Sequence, residues 1–489
     1  MNIIRNSYFY LYISKKSSNF ARRLERRSKF CVMDGIRHIY FLGIGGIGMS
    51  ALARYCLAKG YDVAGYDRTP SPLTRELEAE GVPVTYSEAL DDVQGLTPAD
   101  TLVVRTPAVP EDEAHYVWFR EHNFTILKRS ELLGLVTRNE RALCVAGTHG
   151  KTTTSTLLAH LLHESHVGTN AFLGGISNNY HTNLLLNPDS DLVVVEADEY
   201  DRSFHHLTPY MSVITSIDPD HLDIYGSAAA YQEGFETYAS LVQDTIVLKQ
   251  GYALDRSRLK AHVFTYKGEW LEAYGERPDF YADNIRVADG EIRFDLVTPN
   301  KRINDLQLGV PVWVNIENSV AAMAIALLNG VTEDEIRSGV ASFSGIYRRF
   351  NIHVKTPHVV YADDYAHHPT ELAASIESIR RLYPDRYMIG VFQPHLYTRT
   401  RDFAADFKRV LSTVDELILL PIYPARELPI PGVTSEMLGG KVVQKAELAD
   451  YLCRRVKELS QPVAVMTLGA GDIDRLVEPI AQVLRTLNC

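Results

Sequence analysis

Val145-Ala146-Gly147-Thr148-His149-Gly150-Lys151-Thr152-Thr153-Thr154 decides the fold of this chain. A β-prone run enters it and a helical pattern leaves it. Glycines at a strand-to-helix turn offer backbone N–H groups to phosphate oxygens. Lys151 adds a charge toward the β and γ positions, and the Thr152 hydroxyl suits Mg²⁺. The loop is shorter than G-x-x-x-x-G-K-[ST], because only Thr148 and His149 separate Gly147 from Gly150. Such a loop needs an acid on a neighbouring strand end to hold the metal. Asp191-Leu192-Val193-Val194-Val195-Glu196 supplies Glu196. A further strand, expected over Met211–Ile217, leads to Asp218-Pro219-Asp220-His221, where an imidazole beside carboxylates can serve as a second metal ligand.

Upstream, Gly43-Ile44-Gly45-Gly46-Ile47-Gly48 is G-x-G-x-x-G between an expected strand, Ile36–Leu42, and an expected helix, Met49–Lys59. Glycine allows the tight turn and the close approach of a pyrophosphate, which the helix N-terminus attracts. Asp67 follows the second strand, Asp62–Tyr66, where a ribose hydroxyl would be bound. The pattern does not separate NAD from other nucleotide diphosphates. The chain thus carries two nucleotide signatures. A dehydrogenase explains the first and not the second, and a simple ATPase the reverse. An ATP-driven enzyme acting on a nucleotide-linked substrate explains both.

Composition agrees with a multidomain globular protein. The 489 residues suggest three domains at roughly 150 residues each. Apolar residues make up 46% and charged residues 23%, which excludes wholesale disorder. No run reaches the ~18 apolar residues of a membrane-spanning helix, so no membrane insertion is expected. Cys31, Cys56, Cys144, Cys453 and Cys489 are scattered without a CxxC, which fits a cytoplasmic protein without disulfides or a zinc ribbon. The net charge of −11 divides into +7 over residues 1–32 and −18 over the rest. A body that acidic excludes general nucleic-acid binding. The basic leader 1–32 has the composition of a transit peptide. The preferred reading is translation from Met33, or else a disordered tail.

The alternation of β-rich and helical runs predicts an α/β fold with mainly parallel sheets. Three domains are expected: a Rossmann-like N-terminal domain over 33–137, a central P-loop ATPase-like α/β domain over 138–345, and a C-terminal domain over 346–489. The last carries strands at His358–Ala362, Tyr387–Phe392, Glu416–Leu420 and Val463–Leu468, and the central domain closes with an Ala-rich helix at Asn318–Leu328.

The glycine turn, the phosphate loop, Glu196-Ala197-Asp198-Glu199, Asp220-His221, Arg348-Arg349-Phe350, Asp363-Asp364-Tyr365-Ala366-His367-His368-Pro369-Thr370 and Gln393-Pro394-His395 together resemble the Mur ligase family, in its order and from Ile36 to the C-terminus. The likeness is greatest to its alanine-adding branch. The resemblance implies a Rossmann-like third domain, and it implies ATP-dependent ligation of L-alanine to the lactyl carboxylate of UDP-N-acetylmuramate through an acyl phosphate. It assigns Gly43, Gly45, Gly46, Gly48 and Asp67 to UDP. Gly147, Thr148, His149, Gly150, Lys151, Thr152 and Thr153 go to ATP, with Thr152 and Glu196 on one Mg²⁺ and His221 on a second. Asn318 would meet the adenine, Arg349 and Asp364 would contact ATP, and Tyr365 and His367 would lie near the amino acid. Blander roles are a surface ion pair for Arg349 and Asp364, helix capping for His367, and zinc binding for the His pair. The chain departs from the family at Val312 and Val314, where Gly and His are common, and at Leu396, where Arg is common; Arg399 and Arg401 are the nearby cations. Later-acting relatives use a carbamylated Lys about 15 residues after the metal His. No Lys lies between His221 and Lys249, so an unmodified second metal site is expected. A monomer or homodimer is expected. The nearest rival is a ligase that attaches recycled murein tripeptide to the same sugar nucleotide; an NAD-dependent oxidoreductase and a nucleotide-gated binding module are more distant ones.

Overall fold

The computed structural model describes residues 35–488 apart from His221, Asp289 and Arg426. The basic leader and Met33 therefore lie outside the described residues, as does His221. The chain divides into two compact units. The first runs to Asp283 and takes up Asp295–Leu306 and Glu317–Ser342. The second consists of Asn284–Phe294, Gln307–Ile316 and the chain from Phe343 onward.

The first unit opens with a five-stranded parallel sheet: β1 His38–Leu42, β2 Asp62–Tyr66, β3 Val84–Thr85, β4 Thr101–Arg105 and β5 Thr125–Lys128, in the order β3-β2-β1-β4-β5. Strands 1 and 4 bury nearly every side chain, as expected for a parallel sheet covered on both faces. The helix Arg129–Asn139 runs through the boundary expected at 137, and Glu140 alone separates it from β6.

A second sheet has ten strands in the order β15-β14-β13-β12-β11-β10-β6-β9-β7-β8. Its strands are β6 Arg141–Ala146, β7 Asn170–Phe172, β8 Leu184–Leu185, β9 Leu192–Ala197, β10 Pro209–Ile214, β11 Thr245–Lys249, β12 His262–Glu269, β13 Phe280–Ala288, β14 Glu291–Val297 and β15 Arg302–Gln307. At its centre β6 lies parallel between β9 and β10. The valines of β9 and Ala142–Ala146 of β6 are almost wholly inaccessible, so apolar burial fixes the two strands whose ends carry the phosphate loop and Glu196.

The helix Ile47–Ala58, which leaves the glycine turn, packs against β7 and β8. Tyr55 meets Phe172 at 5.2 Å between ring centroids. Met49, Leu52 and Tyr55 share one core with Ala142, Cys144, Phe172 and Val193. The two nucleotide signatures are thus built on one continuous core.

The second unit holds a six-stranded sheet in the order β16-β17-β21-β18-β19-β20. Its strands are β16 Asn351–Lys355, β17 Val359–Asp364, β18 Tyr387–Phe392, β19 Glu416–Leu419, β20 Lys441–Val442 and β21 Val463–Leu468. All of its pairings are parallel except β16 on β17. No helix among the described residues is long and apolar enough to cross a membrane. The expected α/β class with Rossmann-like outer sheets is what forms.

Two elements differ from expectation for local reasons. The strand expected over 211–217 ends at Ile214, because Thr215 and Ser216 turn to bond the phosphate loop. The Ala-rich helix begins at Trp313, not Asn318, with the Asn315 N–H donating to Val312 O at 2.8 Å.

Candidate active site

The phosphate loop joins β6 to the helix Lys151–His163. Gly147 has φ +136 and Gly150 has φ +81, both outside the range comfortable for a side chain. A Cβ on Gly147 would overlap Thr215 Oγ1 and stand 2.8 Å from Ser216 N. A Cβ on Gly150 would stand 2.8 Å from Asn318 Oδ1. The loop is braced by the two residues that follow β10: Thr215 Oγ1 donates to His149 O at 2.5 Å, and Ser216 Oγ accepts from His149 N at 2.9 Å. The Thr148 hydroxyl donates to Asp218 O at 2.8 Å and lies 2.9 Å from the Tyr231 hydroxyl. Thr153 occupies the first turn of the helix behind Lys151 and Thr152.

Lys151 Nζ bonds Gly147 O at 2.7 Å and pairs with Glu199 at 2.7 and 2.9 Å. Glu199 is buried; burial pushes its carboxyl up, and Lys151 beside it pulls the other way. Thr152 Oγ1 donates to Glu196 Oε1 at 3.1 Å. Gly174 leaves room for Glu196, since a Cβ there would overlap Glu196 Oε2. A hydroxyl and a carboxylate are hard oxygen donors, so the pair fits Mg²⁺ by its chemistry. The Thr154 hydroxyl donates to Asn318 Oδ1 at 3.3 Å, which brings the adenine candidate to the loop. The fold thus gathers Gly147–Thr153, Glu196 and Asn318. It adds Glu199, Thr215 and Ser216, which sequence reading left out of the site. The acid run after β9 was a signal for Glu199; nothing in the sequence marks the two residues after β10.

The glycine turn lies at the carboxyl end of β1. Gly43 has φ +82, and its N–H and that of Ile44 donate to Tyr66 O at 2.8 and 3.1 Å. Asp67 Oδ2 accepts from Gly45 N at 2.8 Å. A Cβ on Gly45 would stand 2.7 Å from Thr74 Cγ2 and 2.9 Å from Asp67 Oδ2. Gly46 caps the helix, and Gly48 lies in its first turn, against the Arg129 guanidinium. Gly43, Gly45, Gly46, Gly48 and Asp67 are therefore together. Behind the turn, Tyr66 stacks on the buried His115 at 4.7 Å. The His115 ring lies 2.8 Å from Glu113 Oε1 and 3.3 Å from Asp92 Oδ1.

In the second unit, Asp364 ends β17. Its carboxylate accepts from Tyr365 N at 2.8 Å, from Phe350 N at 3.3 Å and from the Ser375 hydroxyl. Burial raises its pKa, against the Ser375 hydrogen bond and the Arg349 charge. Asp364 is buried and Arg349 exposed, so the two do not form a surface ion pair. Arg349 lies 5.4 Å from the Tyr365 ring centroid. His367 meets Tyr365 at 5.4 Å and His395 at 6.1 Å between ring centroids. Burial lowers the pKa of both histidines, which favours neutral imidazoles. The helix cap before Pro369 is His368, with Glu371 accepting from His367 N and His368 N at 3.0 and 3.2 Å. Among the described residues no three His, Cys, Asp or Glu side chains are grouped to hold a metal. Arg399, on the short helix Tyr397–Asp402, adds positive charge beside His367 and His395. Leu396, at the helix start, has φ +70, and its N–H donates to Tyr423 O at 3.0 Å.

Three family models match the chain in order. They are described as Mur ligase family, catalytic domain, over residues 38–141; Mur ligase middle domain over 145–326; and Mur ligase, glutamate ligase domain, over 348–473. A UDP-N-acetylmuramate–L-alanine ligase of Porphyromonas gingivalis is 53% identical over 464 residues, covering 92% of this chain and 100% of that one. One from Parabacteroides distasonis is 56% identical over 463 residues, covering 92% and 98%. Among solved structures, the UDP-N-acetylmuramate-alanine ligase of Thermotoga maritima superposes with a TM-score of 0.75 at 26% identity, covering 92% of this chain and 99% of that one. A murein peptide ligase of Psychrobacter arcticus shares the fold, with a TM-score of 0.62 at 20% identity over 92% and 98%. With a strand-borne phosphate loop, a second glycine turn on the same core and these matches along nearly its whole length, the chain belongs to the Mur ligase family.

Proposed function

We propose that this protein joins L-alanine to the lactyl carboxylate of UDP-N-acetylmuramate, with ATP converted to ADP and phosphate, in peptidoglycan precursor synthesis. The observation that carries the reading is identity above one half, over 92% of this chain, to ligases of that name. The tripeptide-adding alternative has weaker support, through a fold likeness at 20% identity.

The lactyl carboxylate attacks the γ-phosphorus, ADP leaves, and an acyl phosphate forms. The alanine amine then attacks the acyl carbon, loses a proton, and phosphate departs as the amide forms. The first step brings anion to anion, so catalysis is mostly positioning plus charge neutralisation. Lys151 exchanges Glu199 for the terminal phosphate oxygens. Backbone N–H groups of Gly147–Thr152 cradle the phosphates, and Asn318 meets the adenine. Thr152 and Glu196 are the residues that would hold Mg²⁺, which supplies charge neutralisation when bound; His221 would take a second ion. The glycine turn and Asp67 hold the UDP moiety. Arg349 and Asp364 contact ATP, while Tyr365, His367 and Arg399 face the amino acid. Phosphate release is measured with UDP-N-acetylmuramate and ATP, adding alanine or tripeptide. Alanine-dependent release is expected; tripeptide-dependent release without it overturns the assignment.

A further inference from the structure

Arg129 lies where the two nucleotide signatures meet. It is the first residue of the helix Arg129–Asn139. Its Nη1 stands 2.7 Å, and its Cδ 3.2 Å, from the place a Cβ on Gly48 would occupy. The guanidinium therefore crosses the first turn of the glycine-turn helix, and a side chain at position 48 would require Arg129 to shift. Its Nη2 lies 3.7 Å from Asp198 Oδ2. Asp198 falls between the two acids that engage the phosphate loop, Glu196 on Thr152 and Glu199 on Lys151. Next to it, Lys128 Nζ pairs with Asp201 Oδ2 at 3.3 Å. The segment 196–201 is thus held from two sides. Glu196 and Glu199 point to the phosphate loop, and Asp198 and Asp201 to the end of β5. Asp201 and Arg202 have φ of +51 and +53, a conformation that side-chain-bearing residues adopt only when surrounding contacts impose it.

We propose that Arg129 is a positioning residue that bridges the sugar nucleotide's diphosphate to Asp198 and so couples occupancy of the glycine turn to the ATP loop. The proposal rests on the function assigned above. A guanidinium presents five N–H donors in a planar fork and can serve two anions at once, which a lysine ammonium does as a point charge only. A diphosphate at the N-terminus of Ile47–Ala58 lies on the Gly48 side of the fork, and Asp198 occupies the other. With both anions in place, the strand end that carries Glu196 and Glu199 is tied to the bound sugar nucleotide. By linkage, whatever the sugar nucleotide does to ATP affinity, ATP does equally to its own.

The test is isothermal titration of a non-hydrolysable ATP analogue with and without saturating UDP-N-acetylmuramate, in Mg²⁺. The wild-type protein is expected to bind the analogue at least about fivefold more tightly when the sugar nucleotide is present. Asp198→Asn is expected to bind each ligand alone within about threefold of wild type but to lose the coupling, to below about twofold. Arg129→Lys is expected to weaken the sugar nucleotide and to lose the coupling as well; it also carries the test should Asp198→Asn not fold. Coupling that persists at the wild-type value in both variants, or that is missing from the wild type, overturns the proposal. Failure of UDP-N-acetylmuramate to bind the wild type at all would instead overturn the assigned function.

Discussion

The first unit contains two strand–glycine–helix anion cradles with opposite chemical equipment. The turn Gly43–Gly48 gives one amide to Asp67 and is supported from behind by Tyr66 on His115. The loop Gly147–Lys151 carries a lysine, two acids at and just past the end of β9 and two braces from the residues that follow β10. The first cradle can hold a diphosphate in place but offers nothing to a reacting phosphorus. The second has the charges that phosphoryl transfer demands. On the proposed function, two similar backbones would serve as a handle and a reaction centre, set apart by their side chains.

The largest expected effect breaks the second cradle chemically. Lys151→Ala and Glu196→Ala should each lower kcat by at least about 10²-fold, roughly 2.7 kcal/mol, in the phosphate-release assay. Near-normal turnover in either would erase the distinction between the two cradles. Next comes its backbone. Gly147→Ala drives a Cβ into Thr215 at φ +136 and should weaken ATP-analogue binding by at least about tenfold, roughly 1.4 kcal/mol, by calorimetry. The matching change in the first cradle should act on binding only. Gly45→Ala is expected to raise KM for UDP-N-acetylmuramate about tenfold while kcat stays within about twofold. A collapse of kcat there would show that the first cradle also takes part in chemistry.

The smallest effect concerns the support behind the handle. Burial pulls the His115 pKa down, but the carboxylates of Glu113 and Asp92 outweigh it and hold it above the ordinary histidine range. A raised histidine contributes stability that is fully present below its unfolded pKa, about 6.5, and is lost as pH rises through the folded value. Glu113, held below its ordinary value despite burial by its bonds to His115 and Tyr116, loses its contribution as pH falls through the carboxylate range. His115→Gln should therefore lower the unfolding midpoint by several degrees near pH 6 and by less near pH 9. A deficit that grows toward pH 9 would contradict a charged His115.

Much of this was legible because glycine spacing and apolar runs are local signals. Gly43–Gly48 and Gly147–Lys151 announced their strands, turns and helices, and Val193–Val195 announced a strand ending in Glu196. What stayed hidden depends on distant partners. Asn183 Nδ2 donates to the Ile47 carbonyl at 2.5 Å, and its Oδ1 accepts from Arg54 at 3.0 Å, joining residues more than 125 apart with no periodicity to betray them. Strands β12–β15, where apolar residues are interleaved with charged and polar ones, carry no motif and drew no expectation. The start of the helix at Trp313 was obscured by the β-branched neighbours Val312 and Val314, which favour strands when read locally. Glu199 could be seen as an acid after β9, but only its ion pair in the folded chain, just ahead of the kinked segment Tyr200–His206, shows that it faces Lys151.

The second unit takes Asn284–Phe294 and Gln307–Ile316 from far upstream of its main body. A ribosome therefore releases pieces of it before most of it has been synthesised, and those pieces wait through some thirty to sixty residues for the rest to emerge. A fragment begun at Phe343 would lack them. An isolated C-terminal fragment is consequently a poor starting point for dissecting this enzyme by truncation, whereas point substitutions in the intact chain leave both units with all their segments.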